Sequence, residues 1–494
     1  MLLRHLAASL NIVRTQGSLD REVRSLALDS QRTASGSVFV ALPNPSPHSG
    51  ESIQEAVDRG AVAVVCQCRG VFAPRATVIQ VPDAREALLR LAEAFFQHPG
   101  AKLQTIHVAG ASAAAPVAFI LREILEAAGD RTGLISSIHH QLGDRVLPAW
   151  FTPPTPLETQ ALLAQMVRIG CRFCVLEQPA AAPHLQGIDV LLQHQKPGWF
   201  VPGAIPPVSP PQLGPSIDRY RTRQASLTVH QVPPAPALPG ARIGPIETLV
   251  SYGARPWLRL EASSLTLSPS GARFQLHTPA ARMTCRLPSP GQSHVQYALA
   301  AAGIALALGV DPSIVRRALC SLPPVPGRLE PVDAGQPFSV LVDRARRPDD
   351  LRDALQSARA FTAGRLLLAT GSPGGSPLEE RIALGEVAAR IADLTVLTSD
   401  NSSKESPDLI ACQILAGYHR IRSNDVAIEH DRQQAIRQLI RQARPGDTVL
   451  LAGKGNETIQ IDPDTLLPFD DRVFAREMIE ESGFAVPARR HRLP

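Results

Sequence analysis

Short apolar runs alternate with amphipathic helical stretches along most of the chain. The runs "SVFVAL", "VAVVCQ" and "TVIQVP" are typical of buried strands, and "DAREALLRLAEAFFQHP" shows the spacing of a helix that Asp83 would cap. The same alternation resumes at "LQTIHVAG" and again at "FSVLVD". Strand–helix alternation of this kind predicts parallel, doubly wound sheets, so we expect an α/β fold.

Two stretches interrupt this alternation. Residues 197–246 are rich in proline, which predicts irregular or polyproline II connections, and Pro202–Pro215 is a candidate segment for docking another protein. Residues 258–287 alternate with period two, which predicts β hairpins. The chain has 494 residues, and at the usual domain size this length predicts about three domains.

Charge and composition exclude some classes of function. The net charge of +5 and the pI near 9.0 come from dispersed arginines, since lysine occurs only at four positions, and dispersed charge argues against nucleic-acid binding. No apolar stretch is long enough for a membrane span, and the N-terminus does not resemble a signal peptide. We therefore expect a cytoplasmic protein. The cysteines in "CRFCVLE" and "AVAVVCQC" are expected to pack in the core.

Several phrases occur in an order that resembles one family. They are "LDSQRTASGSVFVAL", "TPPTPLETQALLAQM", "PPVPGRLEPV", "VDRARRPDDLRDAL", "TVLTSDNSSKESP", "AGKGNETIQ" and "FDDR". Together they resemble the Mur ligase family, in its MurE-type branch of UDP-N-acetylmuramoyl-L-alanyl-D-glutamate ligases. The resemblance implies an N-terminal domain like those that bind the UDP precursor (1–102), a central ATPase-like, doubly wound domain (103–327) and a C-terminal Rossmann-like domain (328–494).

The resemblance also implies a chemistry and a set of site residues. Family members use ATP and Mg²⁺ to phosphorylate the terminal carboxylate of a cell-wall peptide precursor, and an incoming amine then attacks the acyl phosphate. Candidates for nucleotide binding are Gly110, Glu177, Arg328 and Asp343. Candidates for substrate binding are Ser30, Thr152, Asp400, Asn401, Lys454 and Glu457.

At the catalytic positions the sequence departs from the family. In "HVAGASAAAP", Ala114 stands where the phosphate-binding lysine of the family loop would be, and Ala115 stands where its magnesium-binding threonine would be. Gln224 replaces the carbamylated lysine, and Pro179, Ala180 and Ala181 fall where the family has Ser-Ser-His. In later phrases, "HVQY" replaces the adenine-contacting N-V-x-N, Arg344 and Arg346 replace Tyr and His, and Ser402-Ser403 replaces the Pro-Arg of D-N-P-R.

These losses predict a catalytically inactive protein that has lost ATP and Mg²⁺ and binds no metal. Each charge-stabilising contact can be worth roughly 3 kcal/mol of transition-state energy, so losing two or three would leave little turnover. On this hypothesis the protein acts as a scaffold, a regulator or a binding subunit for a protein partner that the sequence does not identify.

Two alternatives stay open. The first is an active ligase with an altered nucleotide site, which would need a new cation for phosphate; Arg344, Arg346 and Arg347 form the only arginine cluster in a suitable phrase, although a solvated surface is the plainer interpretation. The second is a non-catalytic binder that keeps residual affinity for the UDP-sugar peptide precursor.

Overall fold

The structure of the protein is a computed structural model. It describes residues 1–43, 49–67, 75–110, 112–149, 154–178, 188–193, 225–232, 245–252, 255–462 and 465–484. None of the helices within these ranges is long and apolar enough to cross a membrane.

In chain order the helices are α1 Leu3–Ala7, α2 Ser49–Asp58, α3 Ala84–Phe95, α4 Ala114–Ala127, α5 Pro156–Arg168, α6 Gln292–Ala307, α7 Pro312–Cys320, α8 Pro348–Arg359, α9 Leu378–Ile391, α10 Pro407–His419, α11 Arg432–Gln442 and α12 Asp471–Ile479. The strands are β1 Arg14–Gln16, β2 Ser25–Ala27, β3 Ser37–Ala41, β4 Ala63–Cys66, β5 Thr77–Gln80, β6 Gln104–Ala109, β7 Thr132–Ile135, β8 His140–Leu142, β9 Arg145–Leu147, β10 Phe173–Gln178, β11 Ile188–Gln193, β12 Ala225–Val232, β13 Ile246–Tyr252, β14 Arg255–Ser268, β15 Gly271–His277, β16 Arg282–Leu287, β17 Glu330–Pro331, β18 Ser339–Asp343, β19 Leu366–Thr370, β20 Leu394–Leu397, β21 Val426–Ile428, β22 Thr448–Ala452, β23 Ile459–Asp462 and β24 Thr465–Pro468.

The chain forms two compact units, and the first comprises residues 1–106, 131–174 and 193–197. Its sheet has the order β1-β5-β4-β3-β2, parallel except for β1. Successive side chains of β3 enter the cores on opposite faces of the sheet, as strand geometry requires. Asp83 caps α3 by accepting hydrogen bonds from the amides of Arg85 (2.8 Å) and Glu86 (3.2 Å), which confirms the predicted N-cap.

The second unit comprises residues 107–130, 175–192 and 198–494. Its first sheet has the order β16-β15-β14-β13-β12-β11-β6-β10, and the strands from β11 to β16 pair antiparallel. The hairpins predicted for residues 258–287 are confirmed as β14, β15 and β16. Strand β12 lies inside the proline-rich stretch and was not predicted there, because proline content marks connections but not the short "ASLTVHQV" run between them. Pro202–Pro215 lies outside the described residues.

The other sheet of this unit has the order β17-β18-β22-β19-β20-β21, with all neighbours parallel except β17 and β18. Helices α8, α9 and α10 cover one face, and α11 and α12 cover the other. Strand side chains alternate between these two cores, so "FSVLVD" and "TVLLAG" read as continuous apolar runs. This is the predicted doubly wound arrangement. It brings the carboxyl ends of β18, β22 and β20 to one edge, where ligands bind in such sheets.

Candidate functional site

The position of the family's phosphate loop lies between β6 and α4. Gly110 follows β6, and α4 begins at Ala114 with Ala113 as an N-cap that has no side-chain hydrogen bond. Ala114 and Ala115 form the first turn and are 1% and 2% exposed. The helix start therefore offers backbone N–H groups and a dipole to an anion, but no cationic side chain and no hydroxyl.

Glu177 lies beside this loop at the end of β10, which neighbours β6 in the sheet. The side chain of Gln178 contacts the Nδ1 atom of His107 at 2.7 Å, so the two strand ends are joined directly before the loop. Glu177 itself is half-buried. Of the other predicted positions, Thr152, Ala180, Ala181 and Gln224 lie outside the described residues.

Asp343 ends β18 and holds the linker segment that precedes β17. Its carboxylate accepts hydrogen bonds from the amides of Leu329 (2.7 Å) and Ala345 (2.8 Å). Leu329 has φ +40°, an uncommon backbone for leucine, and the bond to Asp343 fixes it. Burial raises the pKa of Asp343 to about 6, although the nearby Arg328 and the two amides favour its charged form.

The "HVQY" phrase lies on α6 near the same linker. The ring of His294 bonds through Nδ1 to the carbonyl oxygen of Pro290 at 2.7 Å and packs edge-on against Tyr297. Burial lowers the pKa of His294 to about 4 and raises that of Tyr297 well above its usual range, and Arg328 lies close enough to act on both. At neutral pH both side chains are therefore uncharged, and the charges that act on Tyr297 come from Arg328 and from nearby aspartates such as Asp343.

A dense ion-pair cluster occupies the carboxyl edge of the C-terminal sheet. Arg346, after β18, donates to Asp400 from Nε (3.0 Å) and Nη2 (2.9 Å), and to Glu457 from Nη1 (2.8 Å) and Nη2 (2.6 Å). Asn401 donates to Glu457 at 2.8 Å, and Lys454 donates to the Asn401 side chain at 3.1 Å. We call Arg346, Asp400, Asn401, Lys454 and Glu457 the Arg346 cluster.

Electrostatics explain how this cluster stays charged while buried. The side chain of Asp400 is fully buried, which alone would raise its pKa, but Arg346, Arg432 and Lys454 outweigh burial and lower the pKa. Burial lowers the pKa of Lys454, against the opposing effect of Asp400. Arg432 is held by Asp471 of the "FDDR" phrase through bonds of 2.7 and 2.6 Å. Each buried charge therefore has an opposite charge in contact or nearby.

The structure corrects the interpretation of the three neighbouring arginines as a solvated surface. Only Arg347 fits that description, with a side chain that is 62% exposed. The side chains of Arg344 and Arg346 are 25% and 20% exposed. No sequence pattern indicates that Arg346 bridges two of the predicted substrate-binding carboxylates, because its partners lie 54 and 111 residues away.

Ser30, the described N-terminal candidate, belongs to the first unit. It begins a short 3₁₀ turn that Asp29 caps, and its hydroxyl donates to Glu55 at 2.6 Å. The hydroxyl of Ser30 therefore joins this turn to α2.

Comparison with known proteins identifies relatives along nearly the whole chain. Residues 327–455 match the family described as Mur ligase, glutamate ligase domain. The chain is 31% identical to the UDP-N-acetylmuramoyl-L-alanyl-D-glutamate--2,6-diaminopimelate ligase of Syntrophomonas wolfei, over 97% of this chain and 99% of that protein. It is 34% identical to the ligase of the same name from Geobacillus kaustophilus, over 94% and 96% of the two chains.

Solved structures show the same fold. A UDP-N-acetylmuramoyl-L-alanyl-D-glutamate--2,6-diaminopimelate ligase superposes with a TM-score of 0.53 at 20% identity, over 98% of this chain and 100% of the other. The MurF ligase from Thermotoga maritima in complex with ADP superposes with a TM-score of 0.55 at 15% identity, over 94% and 97%. These likenesses confirm the predicted α/β class and the three-domain Mur ligase architecture.

The relatives contradict the prediction of a catalytically inactive scaffold. Proteins similar over nearly the full chain bear the names of ligases, so the predictions that the chain is inactive and not an enzyme are wrong. The predicted absence of a cofactor is contradicted as well, since Mur ligases use ATP and a structural neighbour holds ADP. The prediction counted side chains missing at separate motif positions, such as Ala114, Ala115 and Gln224, and missing side chains at single positions do not by themselves measure turnover.

The family assignment rests on three agreeing observations: the ordered phrases along the sequence, the doubly wound fold of the C-terminal part and the full-length similarity to named ligases. This chain belongs to the Mur ligase family and is of the MurE type.

Proposed function

We propose that this protein is an ATP-dependent ligase that joins an amino acid to a UDP-N-acetylmuramoyl-peptide, with an altered nucleotide site. The observation that carries the proposal is the similarity to named ligases, at 31% and 34% identity over 97% and 94% of the chain. The candidate substrate residues of the C-terminal sheet support it, because they lie together in one hydrogen-bonded cluster.

ATP supplies the phosphoryl group that activates the terminal carboxylate of the peptide, and the incoming amine forms the amide bond as phosphate leaves. Among the candidates, Arg328 suits a phosphate oxygen, because it is half-buried and, within the described ranges, its nearby carboxylate, Asp343, forms no close ion pair with it. Glu177 supplies a carboxylate for Mg²⁺ at the strand end beside the loop. The backbone amides at the start of α4 add weak anion binding.

The Arg346 cluster bears on the choice of amino acid. Glu457 already receives two hydrogen bonds from Arg346 and one from Asn401, so its charge is neutralised by the chain itself. A second ammonium group on the incoming amino acid would have to compete with Arg346. Ser403 stands where the diaminopimelate branch has an arginine. A bidentate arginine contact to the distal carboxylate of diaminopimelate is therefore also missing at this position. These features favour an amino acid without a second amine.

A coupled assay tests the proposal. The purified full chain is incubated with Mg-ATP, UDP-N-acetylmuramoyl-L-alanyl-D-glutamate and single amino acids, including diaminopimelate, lysine and neutral amino acids. We expect phosphate release that requires both precursor and amino acid, together with a product whose mass equals their sum less one water. Phosphate release no higher than that of the buffer for every amino acid would overturn the proposal.

A matched pair of variants controls for a contaminating ligase. Glu457→Gln removes a charge from the Arg346 cluster and is expected to lower turnover by at least about tenfold, as loss of a charged contact does. Glu379→Gln, at an exposed position in the first turn of α9, is expected to leave turnover unchanged. Equal activity in both variants would show that the measured turnover does not come from this site.

A further inference from the structure

Arg344 is a partly buried cation whose one ion pair among the described residues is long. It directly follows β18, its side chain is 25% exposed, and within the described part of the chain its guanidinium forms no hydrogen bond. The nearest carboxylate contact is Glu457, at 3.6 Å from Nη2, beyond hydrogen-bond distance. Glu457 already accepts shorter bonds from Arg346, of 2.8 and 2.6 Å. The donors of Arg344 are therefore available to a ligand.

The next two arginines in the sequence, Arg346 and Arg347, do not combine partial burial with free hydrogen-bond donors. Arg346 has its donors committed to Asp400 and Glu457. Arg347 lies at the start of α8 with a side chain that is 62% exposed, and its contact to Glu380 is 3.7 Å long. Of the three arginines, only Arg344 is partly buried and also lacks a hydrogen-bonded partner.

The surroundings of Arg344 favour an added negative charge. Burial lowers its pKa, Glu457 acts in the opposite direction, and the guanidiniums of Arg346 and Arg328 lower the pKa further. Arg328 forms no close ion pair among the described residues, although Asp343 lies within electrostatic reach of it. Arg328 lies within electrostatic reach of Arg344 and disfavours its charged form, and a polyvalent anion beside Arg344 would offset this repulsion.

The position of Arg344 connects this charge to the nucleotide loop. Glu177 lies close enough to act on the pKa of Arg344, and Glu177 lies at the end of β10, the strand that neighbours β6. The backbone of Arg344 is fixed, since its amide donates to the carbonyl of Gly327 at 2.9 Å. A side chain at Gly455 would come within 2.6 Å of the Arg344 Cβ, so glycine permits this close packing.

We propose that Arg344 takes over the role of the missing loop lysine and binds a phosphoryl group of the ATP triphosphate beside Glu177. This inference rests on the proposed function. It names a specific residue of this chain, at a position where the family has a tyrosine, as the cation that makes up for Ala114. An arginine suits the task, because its planar fork donates two parallel hydrogen bonds to phosphate oxygens.

Calorimetric binding of Mg-ATP and of inorganic tripolyphosphate to the full chain tests this assignment without relying on turnover. We expect Arg344→Gln to raise the Kd for both ligands by about 10- to 100-fold, the usual effect of losing hydrogen bonds to a charged group. Arg344→Lys is expected to lie between the two. Arg347→Gln is the matched control and should bind both ligands like the wild type.

A third ligand separates ATP from the other phosphate source, the diphosphate of the UDP precursor. Arg344→Gln should bind UDP-N-acetylmuramoyl-L-alanyl-D-glutamate with unchanged Kd. Loss of precursor binding with retained ATP binding would overturn the assignment, as would wild-type affinity for Mg-ATP in Arg344→Gln or no ATP binding by the wild type. Because Arg344 has only its long contact to Glu457 to lose, we expect the variant to melt within about 2 °C of the wild type.

The two proposals can fail separately. A wild type that binds Mg-ATP through Arg344 but forms no product retains this inference and refutes the ligase proposal. A wild type that forms product while Arg344→Gln binds ATP equally well retains the ligase proposal and refutes this inference.

Discussion

Replacing Arg346 by methionine removes the cation that joins Asp400 to Glu457. The wild-type guanidinium makes four hydrogen bonds to these carboxylates, and the Asp400 side chain is fully buried. Breaking a buried ion pair from one side costs about 3–5 kcal/mol, because a charge is left without its partner. Arg432 and Lys454 still lie near Asp400. We therefore expect the lower end, about 3 kcal/mol of unfolding free energy at pH 7.

The measurement is urea unfolding and calorimetric melting of the full chain. For a domain of about 150–250 residues, a loss of about 3 kcal/mol corresponds to roughly 6–12 °C in Tm. Arg347→Met is the control and should change the unfolding free energy by less than about 0.5 kcal/mol, since its side chain is 62% exposed. A loss below about 1 kcal/mol for Arg346→Met would refute the argument that this arginine neutralises the buried carboxylates.

The pH dependence gives an independent check on the cause. In the wild type the pKa of Asp400 is lowered, so its contribution to stability is present above the ordinary aspartate pKa and is lost as pH falls through the folded-state pKa. In Arg346→Met that pKa rises, and Asp400 can escape its unpaired charge by taking up a proton. The stability difference between the two proteins should therefore shrink from pH 7 towards pH 4. Adding Asp400→Asn to Arg346→Met should recover part of the loss at pH 7.

Two further predictions concern the same unit. Burial raises the pKa of Asp343 from 3.8 to about 6, so the folded state takes up a proton more readily than the unfolded state. The stability of the wild type therefore falls as pH rises through this window. Asp343→Asn removes the effect, and its unfolding free energy relative to wild type should rise by up to about 3 kcal/mol from pH 4 to pH 7. Parallel pH profiles in urea unfolding would contradict this prediction. Gly385→Ala would bring a Cβ atom against the carbonyl oxygen of Ile414 where α9 crosses α10, so we expect a loss of about 1–3 kcal/mol, although helix propensity alone favours alanine by about 1 kcal/mol. Gly100→Ala, with no atom within 4 Å of the added Cβ, is the control, and an unchanged Tm for Gly385→Ala would show that the helices do not need this glycine.

Local patterns predicted much of the fold. The strand–helix alternation predicted the doubly wound C-terminal sheet, and period-two alternation predicted β14 to β16. The start of α4 at Ala114 agrees with the strand–turn–helix pattern at the loop. The predicted domain boundaries at residues 102 and 327 stay predictions, as does the unidentified protein partner.

The prediction of inactivity failed for a reason that can be stated physically. It judged each loop and motif position by the side chain lost there, at Ala114, Ala115 and Gln224. Binding free energy depends on every charge around a ligand, including charges from distant parts of the chain. The sequence motifs name Arg328 and Arg344 as candidate cations, but which contacts their side chains make depends on the fold.

The sequence by itself determined which segments become strands and helices, because the spacing of apolar side chains along a segment decides which face can be buried. It also determined the family, through the order of its phrases. Only the tertiary structure decided that Arg346 donates hydrogen bonds to Asp400 and Glu457 while the guanidinium of Arg344 donates none among the described residues. That outcome depends on the strand order β18-β22-β19-β20, which brings Arg346 to the same edge of the sheet as Asp400 and Glu457, 54 and 111 positions further along the chain. The same packing sets the solvent exposure of each charged group.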